Sequence, residues 1–569
     1  MTRIHLFAAS ALALVTVPLA AQGPAQPAPA FDPALLSRHI QTLGSDAYEG
    51  RGVATRAEVK SVDYLISQFH GAGLSPGGDM VRGKRQWTQA VPLLKSDIVG
   101  APQLRLTLGN TSENLVQGEQ IAVRSPMNGA RSVNLRNAPL LFVGYGVAAP
   151  ERGWDDFKNV DVKGKILVLL VNDPDFEGGE GDFGGKAMTY YGRWTYKYEE
   201  AARRGAAGVM VIHETGPASY GWNTVKNSNT NTMFDIVRDK PAATHTPFES
   251  WIQRDLAVRL FQASGLDFEA ARAAARRKDF QPVPLKATLT ASLTANTETI
   301  TSHNVVGLLR GTRHPDETVI YTAHWDHLGI GKPDANGDAI YNGAVDNGTG
   351  LAEIIEQGRA FAREPRTDRS IVILAVTAEE KGLLGSEYYA THPLYPLGKT
   401  VGVLNADSLG VWGPARNYSI RGTARLGLLD ALIEEGTKQG RTFTPDPHPE
   451  TGGFYRSDHF SFAKVGVPAF SYGSGNDLVT GGTARGEALS SDYTTKRYHQ
   501  PDDEWSPTWD LTGLAQDAAL LHMLGRRLAT SREWPTWSDD SEFRSVRDKS
   551  ESERPGSTNQ LPAKRGERG

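Results

Sequence analysis

Short apolar runs and helical patterns alternate along the second half of the chain. Apolar residues at helical spacing predict two helices, over residues 351–361 and 511–528. Buried strands are predicted by short apolar runs that each precede turn-forming residues, at 318–323, 370–376, 401–406 and 468–472. Strands that alternate with helices favour a parallel sheet covered by helices. The pattern therefore predicts an α/β fold, a three-layer sandwich with a mostly parallel central sheet.

The first half of the chain contains two regions that differ in the spacing of their apolar residues and in composition. Over residues 31–78 apolar residues recur at helical spacing, with Asp32 at the position of a helix cap. Between 131 and 295 short apolar strands alternate with long stretches rich in Gly, Asn and Ser. We expect residues 131–295 to be a compact, β-rich α/β domain inserted into the sandwich domain, whose two parts are then 31–130 and 296–535.

Both ends of the chain differ from the regions between them. Residues 1–21 have a basic residue, Arg3, near their start, continue with a short apolar stretch and end in small residues, which is typical of a secretory signal peptide. We therefore expect export, with the mature protein periplasmic or secreted. Residues 536–569 are rich in charge and poor in apolar residues, and they predict a disordered tail.

Composition removes several classes of function. The chain has 569 residues and a formal net charge of -4, so no basic excess favours nucleic acid as a partner. No later apolar run reaches the roughly 18 residues that a spanning helix needs, so no stable membrane insertion is expected. The chain has no cysteine, which excludes zinc fingers and thiol nucleophiles. A transition metal here must be bound by Asp, Glu and some of the 14 histidines.

Five segments place a side chain that can bind a metal just after a predicted strand or in the following loop. The candidate metal ligands are His324, Asp346, Glu380, Asp407 and His499. Two divalent metals that share one carboxylate need two further ligands each, which makes five protein ligands in all. Imidazole and carboxylate donors without thiolate favour Zn²⁺, with Mn or Co as substitutes. The sequence therefore predicts two Zn²⁺ ions per chain.

The adjacent residues Glu379 and Glu380 predict a division of roles. In extended backbone successive side chains point to opposite sides, so one carboxylate can bind metal while its neighbour faces the attacking water as general base. Asp326, two residues after His324, suits a role in accepting the other imidazole N–H and fixing its tautomer. Core packing is expected for the two neighbours of Asp326, which are Trp325 and His327.

These segments resemble those of the co-catalytic di-zinc aminopeptidases, the group that also includes glutamate carboxypeptidase. The matching pieces are His324-Trp-Asp-His, Asp346-Asn-Gly-Thr-Gly, Glu379-Glu-Lys-Gly-Leu-Leu-Gly-Ser, Asn405-Ala-Asp and Tyr498-His-Gln-Pro-Asp. The N-terminal Leu43-Gly-Ser-Asp-Ala-Tyr-Glu-Gly-Arg and the later Ser457-Asp-His-Phe also resemble family segments. In the inserted region, Val143-Gly-Tyr-Gly and Gly164-Lys-Ile-Leu-Val resemble a protease-associated domain.

The resemblance distributes the candidate ligands over two zinc ions. By that likeness His324, Asp346 and Asp407 bind one ion. Asp346 then bridges to the second ion, which also takes Glu380 and His499.

The resemblance also implies the remaining roles and the reaction. Glu379 would be the general base, Asp326 would orient His324, and Tyr498 would help to bind the tetrahedral oxyanion. The implied activity is that of an exported aminopeptidase, in which a hydroxide that bridges two zinc ions hydrolyses the N-terminal peptide bond of peptide substrates. The inserted domain would shape access to the site.

Two alternatives stay open on the sequence alone. A carboxypeptidase that removes acidic C-terminal residues would need cationic side chains for the substrate carboxylates, and Arg416, Arg421 and Arg456 are candidates. A non-catalytic binding protein on the same scaffold is expected to have lost ligands or the base, whereas all six positions are present here.

Overall fold

The computed structural model describes residues 30–177, 181–554 and 560–564, so the predicted signal peptide lies outside the described residues. In this part of the chain, no helix is both long and apolar enough to cross a bilayer. Its helices of eight or more residues are Pro33–Leu43, Arg56–Gly71, Trp194–Arg203, Trp222–Asn229, Arg254–Ala263, Gly348–Arg363, Leu384–Thr391, Gly427–Lys438, Gly482–Lys496 and Thr512–Thr530.

The helical pattern over residues 31–78 corresponds to two helices, Pro33–Leu43 and Arg56–Gly71. Asp32 caps the first, since its side chain accepts the N–H of Ala34 at 2.8 Å. A short 3₁₀ segment, Asp46–Arg51, lies between the two helices. This segment carries the backbone inward toward the loops of the central sheet.

Parallel strands form the centre of one sheet. Their order is Arg369–Val376, His314–His324, Thr400–Ala406 and Ala469–Ser474. These are the strands that the four apolar runs predict, so the α/β fold with a mostly parallel central sheet is confirmed. Most of their residues are buried, which explains why the runs are continuously apolar rather than alternating.

Antiparallel strands border this parallel centre. The end of the long strand Val283–Leu309 pairs with Arg369–Val376 on one side. On the other side Asn417–Ile420 pairs with Ala469–Ser474. The strand Thr88–Ile98 lies along the preceding part of the long strand.

Alternate residues of the central strands face two separate cores. Tyr321 and Ile373 belong to a core on one face, and Ile320 and Leu374 belong to a second core on the other face. The helices that cover these cores are Pro33–Leu43, Gly348–Arg363 and Thr512–Thr530 on the first side, and Leu384–Thr391 and His459–Lys464 on the second. Helix, sheet and helix are the predicted three layers.

A second sheet contains most of the earlier strands. Their order is Thr111–Asn114, Gln103–Leu108, Val283–Leu309, Ser132–Phe142, Ile166–Leu170, Gly208–His213, Phe248–Gln253 and Ile121–Val123. The strands of this sheet begin before residue 131, because Gln103–Leu108 pairs with the part of the long strand that lies in the second sheet. The long strand leaves this sheet and ends in the central one. That the domain is protease-associated stays a prediction.

The charged C-terminal segment is ordered where the structure describes it. The sequence predicts a disordered tail over 536–569, yet Trp537 and Phe543 are buried with their ring centroids 5.0 Å apart. Arg547 is buried too, and it donates to the carbonyls of Leu397 at 3.1 Å and Thr400 at 2.9 Å. The prediction is therefore wrong for the described residues through 554, because a few anchoring side chains outweigh the charged composition.

Candidate metal centre

The candidate ligands lie at the carboxyl ends of the parallel strands. His324 is the last residue of its strand, Asp407 directly follows Thr400–Ala406, and Asp346 lies just before the helix Gly348–Arg363. The Glu379–Glu380 pair follows the strand Arg369–Val376. Parallel strands end at one edge of a sheet, and ligand sites of α/β folds lie there. The fold therefore brings together residues that are far apart in sequence.

Asp346 lies between the two candidate histidines. Its Oδ1 is 3.2 Å from His324 Nε2, and its Oδ2 is 3.2 Å from His499 Nε2. Asp407 Oδ1 is 3.4 Å from His324 Nε2. Glu380 Oε2 is 3.2 Å from His499 Nε2. The structure thus brings all five candidates together as two donor groups that share the Asp346 carboxylate.

The chemistry of these donors fits divalent cations. One donor atom from each of His324, Asp346 and Asp407 lies within 4.8 Å of the others. Burial raises the pKa of the Glu379 carboxyl well above its ordinary range; His324 opposes this rise, and the charges of Asp407 and Glu380 add to it. So many acidic groups in one buried place are electrostatically costly. Bound cations would offset that cost.

Residues 304–523 match the model of peptidase family M28. We refer to residues 304–523 as the M28 domain after this match. The resemblance that the sequence motifs indicate is confirmed at the level of this family.

Relatives with curated names match shorter stretches of the chain. The aminopeptidase YwaD of Bacillus subtilis is 36% identical over 94 residues, which are 16% of this chain and 18% of that protein. A probable zinc metalloprotease of Leptosphaeria maculans is 35% identical over 108 residues, which are 19% of this chain and 24% of that protein. The chain therefore matches less than a quarter of the length of these relatives.

Solved structures of aminopeptidases align with more of the chain at lower identity. An aminopeptidase from Aneurinibacillus sp. strain AM-1 aligns with a TM-score of 0.47 and 18% identity, over 88% of this chain and 94% of that one. The zinc aminopeptidase BSAP from Bacillus subtilis aligns with a TM-score of 0.42 and 18% identity, over 90% of this chain and 97% of that one.

In the M28 domain, the backbone of Asp326 sets the tautomer of His324. Nδ1 of His324 lies 3.0 Å from the backbone oxygen of Asp326. A carbonyl oxygen only accepts, so Nδ1 carries a proton, and Nε2, which faces Asp346 and Asp407, is the nitrogen that a metal would bind in place of its proton. A free lone pair at Nε2 is what a metal ligand needs.

The carboxylate of Asp326 has a different partner from the predicted one. It accepts the backbone N–H of Glu379 at 3.0 Å and that of Glu380 at 3.3 Å. Its Oδ1 is 3.9 Å from Nδ1 of His324, too far for a hydrogen bond. The predicted side-chain contact is therefore wrong, because two N–H groups of the neighbouring loop occupy this carboxylate. Asp326 instead fixes the loop that carries both glutamates.

The two glutamates of the M28 domain take different places, as their adjacency predicts. Glu380 lies beside His499, whereas Glu379 Oε2 is 3.9 Å from Nε2 of His324. Glu379 thus borders the first donor group without completing it. This position is compatible with the predicted role as general base.

Tyr498 lies beside the last candidate ligand. Its ring stacks on that of His499 with centroids 3.9 Å apart, and the residue is 42% exposed. The ring therefore lies beside the metal centre, and part of the residue is exposed to solvent. Its role toward an oxyanion stays a prediction.

His327 is a site residue that sequence reasoning assigned to packing. It is fully buried, and its Nδ1 lies 2.7 Å from Oε1 of Glu380. Neither of these atoms has a well-oriented hydrogen bond among the described residues. A donor set of His327, Asp346 and Glu380 also lies within 4.8 Å. The feature of the sequence that could have indicated a site role is the position of this histidine, three residues after the end of a buried strand.

Asp503 is a further residue of the site, and the sequence analysis does not name it. Its carboxylate accepts the backbone N–H groups of Val345 and Asp346, each at 3.0 Å. The segment that carries His499 therefore also holds the backbone of the shared carboxylate.

The loops of this centre hold strained backbone. Ala378, Ser408 and His499 have φ values of 53°, 50° and 58°, in the left-handed region that non-glycine residues rarely adopt. Such residues persist only where the surroundings fix them, at about 1–3 kcal/mol each. Arg421 supplies one such constraint, since its Nη2 donates to the carbonyls of Asp407 at 3.0 Å and Ser408 at 3.2 Å.

Proposed function

We propose that the protein is an exported, zinc-dependent aminopeptidase that removes N-terminal residues from peptides. The observation that carries the proposal is the position of Asp346, whose two oxygens each lie 3.2 Å from a different histidine. The M28 match, and relatives named aminopeptidase and zinc metalloprotease, support the same chemistry. Export rests on the signal-peptide pattern of residues 1–21.

The five candidate ligands would hold two zinc ions. His324 and Asp407 would bind one, Glu380 and His499 the other, and Asp346 would belong to both. Bound zinc supplies Lewis acidity for the scissile carbonyl and lowers the pKa of a water molecule.

The rest of the proposed mechanism concerns groups of the protein. Glu379 accepts the proton of the attacking water and returns it to the departing amine. Asp326 and Asp503 hold the backbone of the glutamate loop and of Asp346 in place. Tyr498 would donate its phenol O–H to the developing oxyanion.

The direct test measures zinc and peptidase activity together. The mature protein is analysed for bound metal and assayed with a panel of aminoacyl anilides, with and without a chelator. We expect about two zinc ions per chain and hydrolysis that stops on chelation and returns with Zn²⁺. Fewer than one metal per chain and no hydrolysis would instead indicate a binding protein on this scaffold.

Two neighbouring arginines, Arg193 and Arg456, favour a second candidate, a carboxypeptidase for acidic C-terminal residues. Among the described residues, Arg193, Arg421 and Arg456 have no carboxylate within ion-pair distance. Burial and the charge of Arg456 lower the pKa of Arg193 to about 10, so these two cations are close together. Neighbouring unpaired guanidinium groups favour an anionic ligand.

The two candidates differ in the substrate that they predict. The carboxypeptidase would cleave an N-blocked dipeptide ending in Glu, and Arg456→Gln would raise its KM. Arg416→Gln is the matched control, because Arg416 is engaged by Asp477 at 3.1 Å. Hydrolysis of anilides with no cleavage of the blocked dipeptide would leave the aminopeptidase alone.

A further inference from the structure

Arg51 ends the N-terminal Leu43-Gly-Ser-Asp-Ala-Tyr-Glu-Gly-Arg segment and is completely buried. It lies beside the loops of the metal centre, and the N–H of His327 contacts its carbonyl oxygen at 3.3 Å. Gly50, just before it, has φ 65°, and a Cβ there would lie 2.5 Å from the carbonyl oxygen of Tyr341. The chain therefore approaches these loops so closely that only glycine is accommodated at position 50.

All five donors of the Arg51 guanidinium are used, and every acceptor is a backbone carbonyl. Nε donates to Trp325 at 2.8 Å. Nη1 donates to Leu43 at 2.8 Å and Asn342 at 2.7 Å. Nη2 donates to Gly343 at 2.8 Å and, more weakly, to Asp346 at 3.3 Å. This is the complete donor capacity of an arginine side chain.

Apart from that of Leu43, these carbonyls belong to the two segments that carry His324 and Asp346. Trp325 lies between His324 and Asp326 at the end of a strand, whereas Gly343 and Asp346 lie in the loop before the helix Gly348–Arg363. The side chain of Arg51 therefore links the segment that carries His324 to the segment that carries Asp346.

The charge of Arg51 is offset from a distance. Burial lowers the pKa of its guanidinium, and the charges of Asp346, Asp503, Asp326 and Glu380 oppose that effect. The positive charge of Arg51 thus interacts with the carboxylates of the metal centre, while its N–H groups donate to backbone carbonyls. A lysine there would keep the charge but offer three donors in place of a planar fork of five.

We propose that Arg51 is a positioning residue of the metal centre, which fixes the spacing between His324 and Asp346 and thereby sets zinc affinity. This inference rests on the proposed metal centre of the aminopeptidase, but not on which substrate is cleaved. Residues that orient metal ligands typically change metal affinity by 10- to 100-fold when mutated.

The test compares two buried arginines at opposite ends of one sheet. Arg51→Lys is compared with Arg369→Lys, because Arg369 is also fully buried and donates to the carbonyl of Glu533 at 2.9 Å. Zinc affinity is measured by chelator competition, ligand geometry by the absorption spectrum of the Co²⁺-loaded protein, and folding by thermal denaturation of the metal-free protein.

We expect Arg51→Lys to weaken zinc binding at least ~10-fold and to change the Co²⁺ spectrum. Arg369→Lys should lower thermal stability but leave affinity and spectrum at wild-type values. Wild-type affinity and spectrum in folded Arg51→Lys would overturn the proposal. A wild type that binds zinc yet cleaves no peptide would refute the proposed aminopeptidase activity. The zinc affinities and Co²⁺ spectra of the two variants could still be compared in that case.

A milder variant covers the case in which Arg51→Lys does not fold. The amide of Asn342 donates to Gly44 and Asp46, each at 2.9 Å, and so holds an acceptor segment of Arg51 in place. Asn342→Ala should weaken zinc binding several-fold while Arg51 itself is intact. Unchanged zinc affinity in this variant would count against the proposal.

Discussion

The two ends of the central sheet differ in the partners of their buried carboxylates. At the amino ends, Glu317 lies 2.7 Å from Nε of Arg369 and 2.7 Å from Nη1 of Arg532. At the carboxyl ends, acidic side chains gather around two histidines, and the nearby Arg51 donates to carbonyls rather than to carboxylates. The amino ends of the strands thus carry a cluster in which the carboxylate is paired with arginines, whereas the carboxyl ends carry a cluster with an excess of acidic groups.

The difference appears in the acidity of the two clusters. Burial would raise the pKa of Glu317, but Arg532 and Arg369 hold it below its ordinary value. For Glu379, burial together with acidic neighbours outweighs the opposing effect of His324 and raises the pKa of the carboxyl. A balanced buried cluster serves the fold, whereas an unbalanced one indicates a place where cations bind.

Asp346→Asn should have the largest effect, because it weakens the donor that both groups share. We expect zinc content to fall below half of the wild-type value and anilide hydrolysis to become undetectable. Metal analysis of the purified variant and the anilide assay check this outcome. A variant that retained full zinc content and turnover would contradict the shared-carboxylate centre.

Glu379→Gln should separate proton transfer from metal binding. The amide cannot accept the proton of water, so kcat should fall at least ~10²-fold, the usual scale for a general base. Zinc content should stay at the wild-type level, because Glu379 borders the donor groups without completing them. Near-normal turnover in this variant would assign the base to another group.

The sequence predicted the central sheet and the five converging ligands for a common reason. Continuous apolar runs identify strands buried on both faces, and side chains that follow parallel strands must meet at one edge. His324 and Asp407 could be named because each ends or follows such a run.

What escaped prediction depends on contacts across the fold. The partner of the Asp326 carboxylate is a backbone loop of another strand, and Arg51 acts through carbonyls that carry no signal in the sequence. The tail was misjudged because composition does not show that Trp537 and Phe543 find places in the core. Such features follow from tertiary packing rather than from local pattern.

His327→Asn should weaken zinc binding less than Asp346→Asn and should lower turnover less than Glu379→Gln. An amide has no basic ring nitrogen to replace the imidazole, whose Nδ1 lies 2.7 Å from Oε1 of Glu380, so zinc affinity at the second donor group should fall ~10-fold. His522→Asn is the matched control, since His522 is equally buried and contacts Gln357. Equal zinc affinities in both variants, measured by chelator competition, would return His327 to a packing role.

Glu317→Gln should leave the metal centre unchanged and destabilise the fold. It removes the charge that Arg369 and Arg532 share, and breaking a buried ion pair costs about 3–5 kcal/mol. Denaturant unfolding should show that loss, while chelator competition should give the wild-type zinc affinity. A parallel loss of zinc would mean that the two ends of the sheet are coupled.

Glu353→Gln should have the smallest effect, visible only in the pH dependence of stability. Burial, with a contribution from Asp517, raises the pKa of Glu353 to about 8, against a hydrogen bond from Gln357. The folded state therefore keeps a proton that the unfolded chain releases near pH 4.5. This carboxyl's contribution is fully present below that pH and is lost as the pH rises toward 8. Denaturation midpoints from pH 5 to 8 should fall more steeply in the wild type than in Glu353→Gln, and parallel curves would mean that Glu353 is ionised in the folded protein.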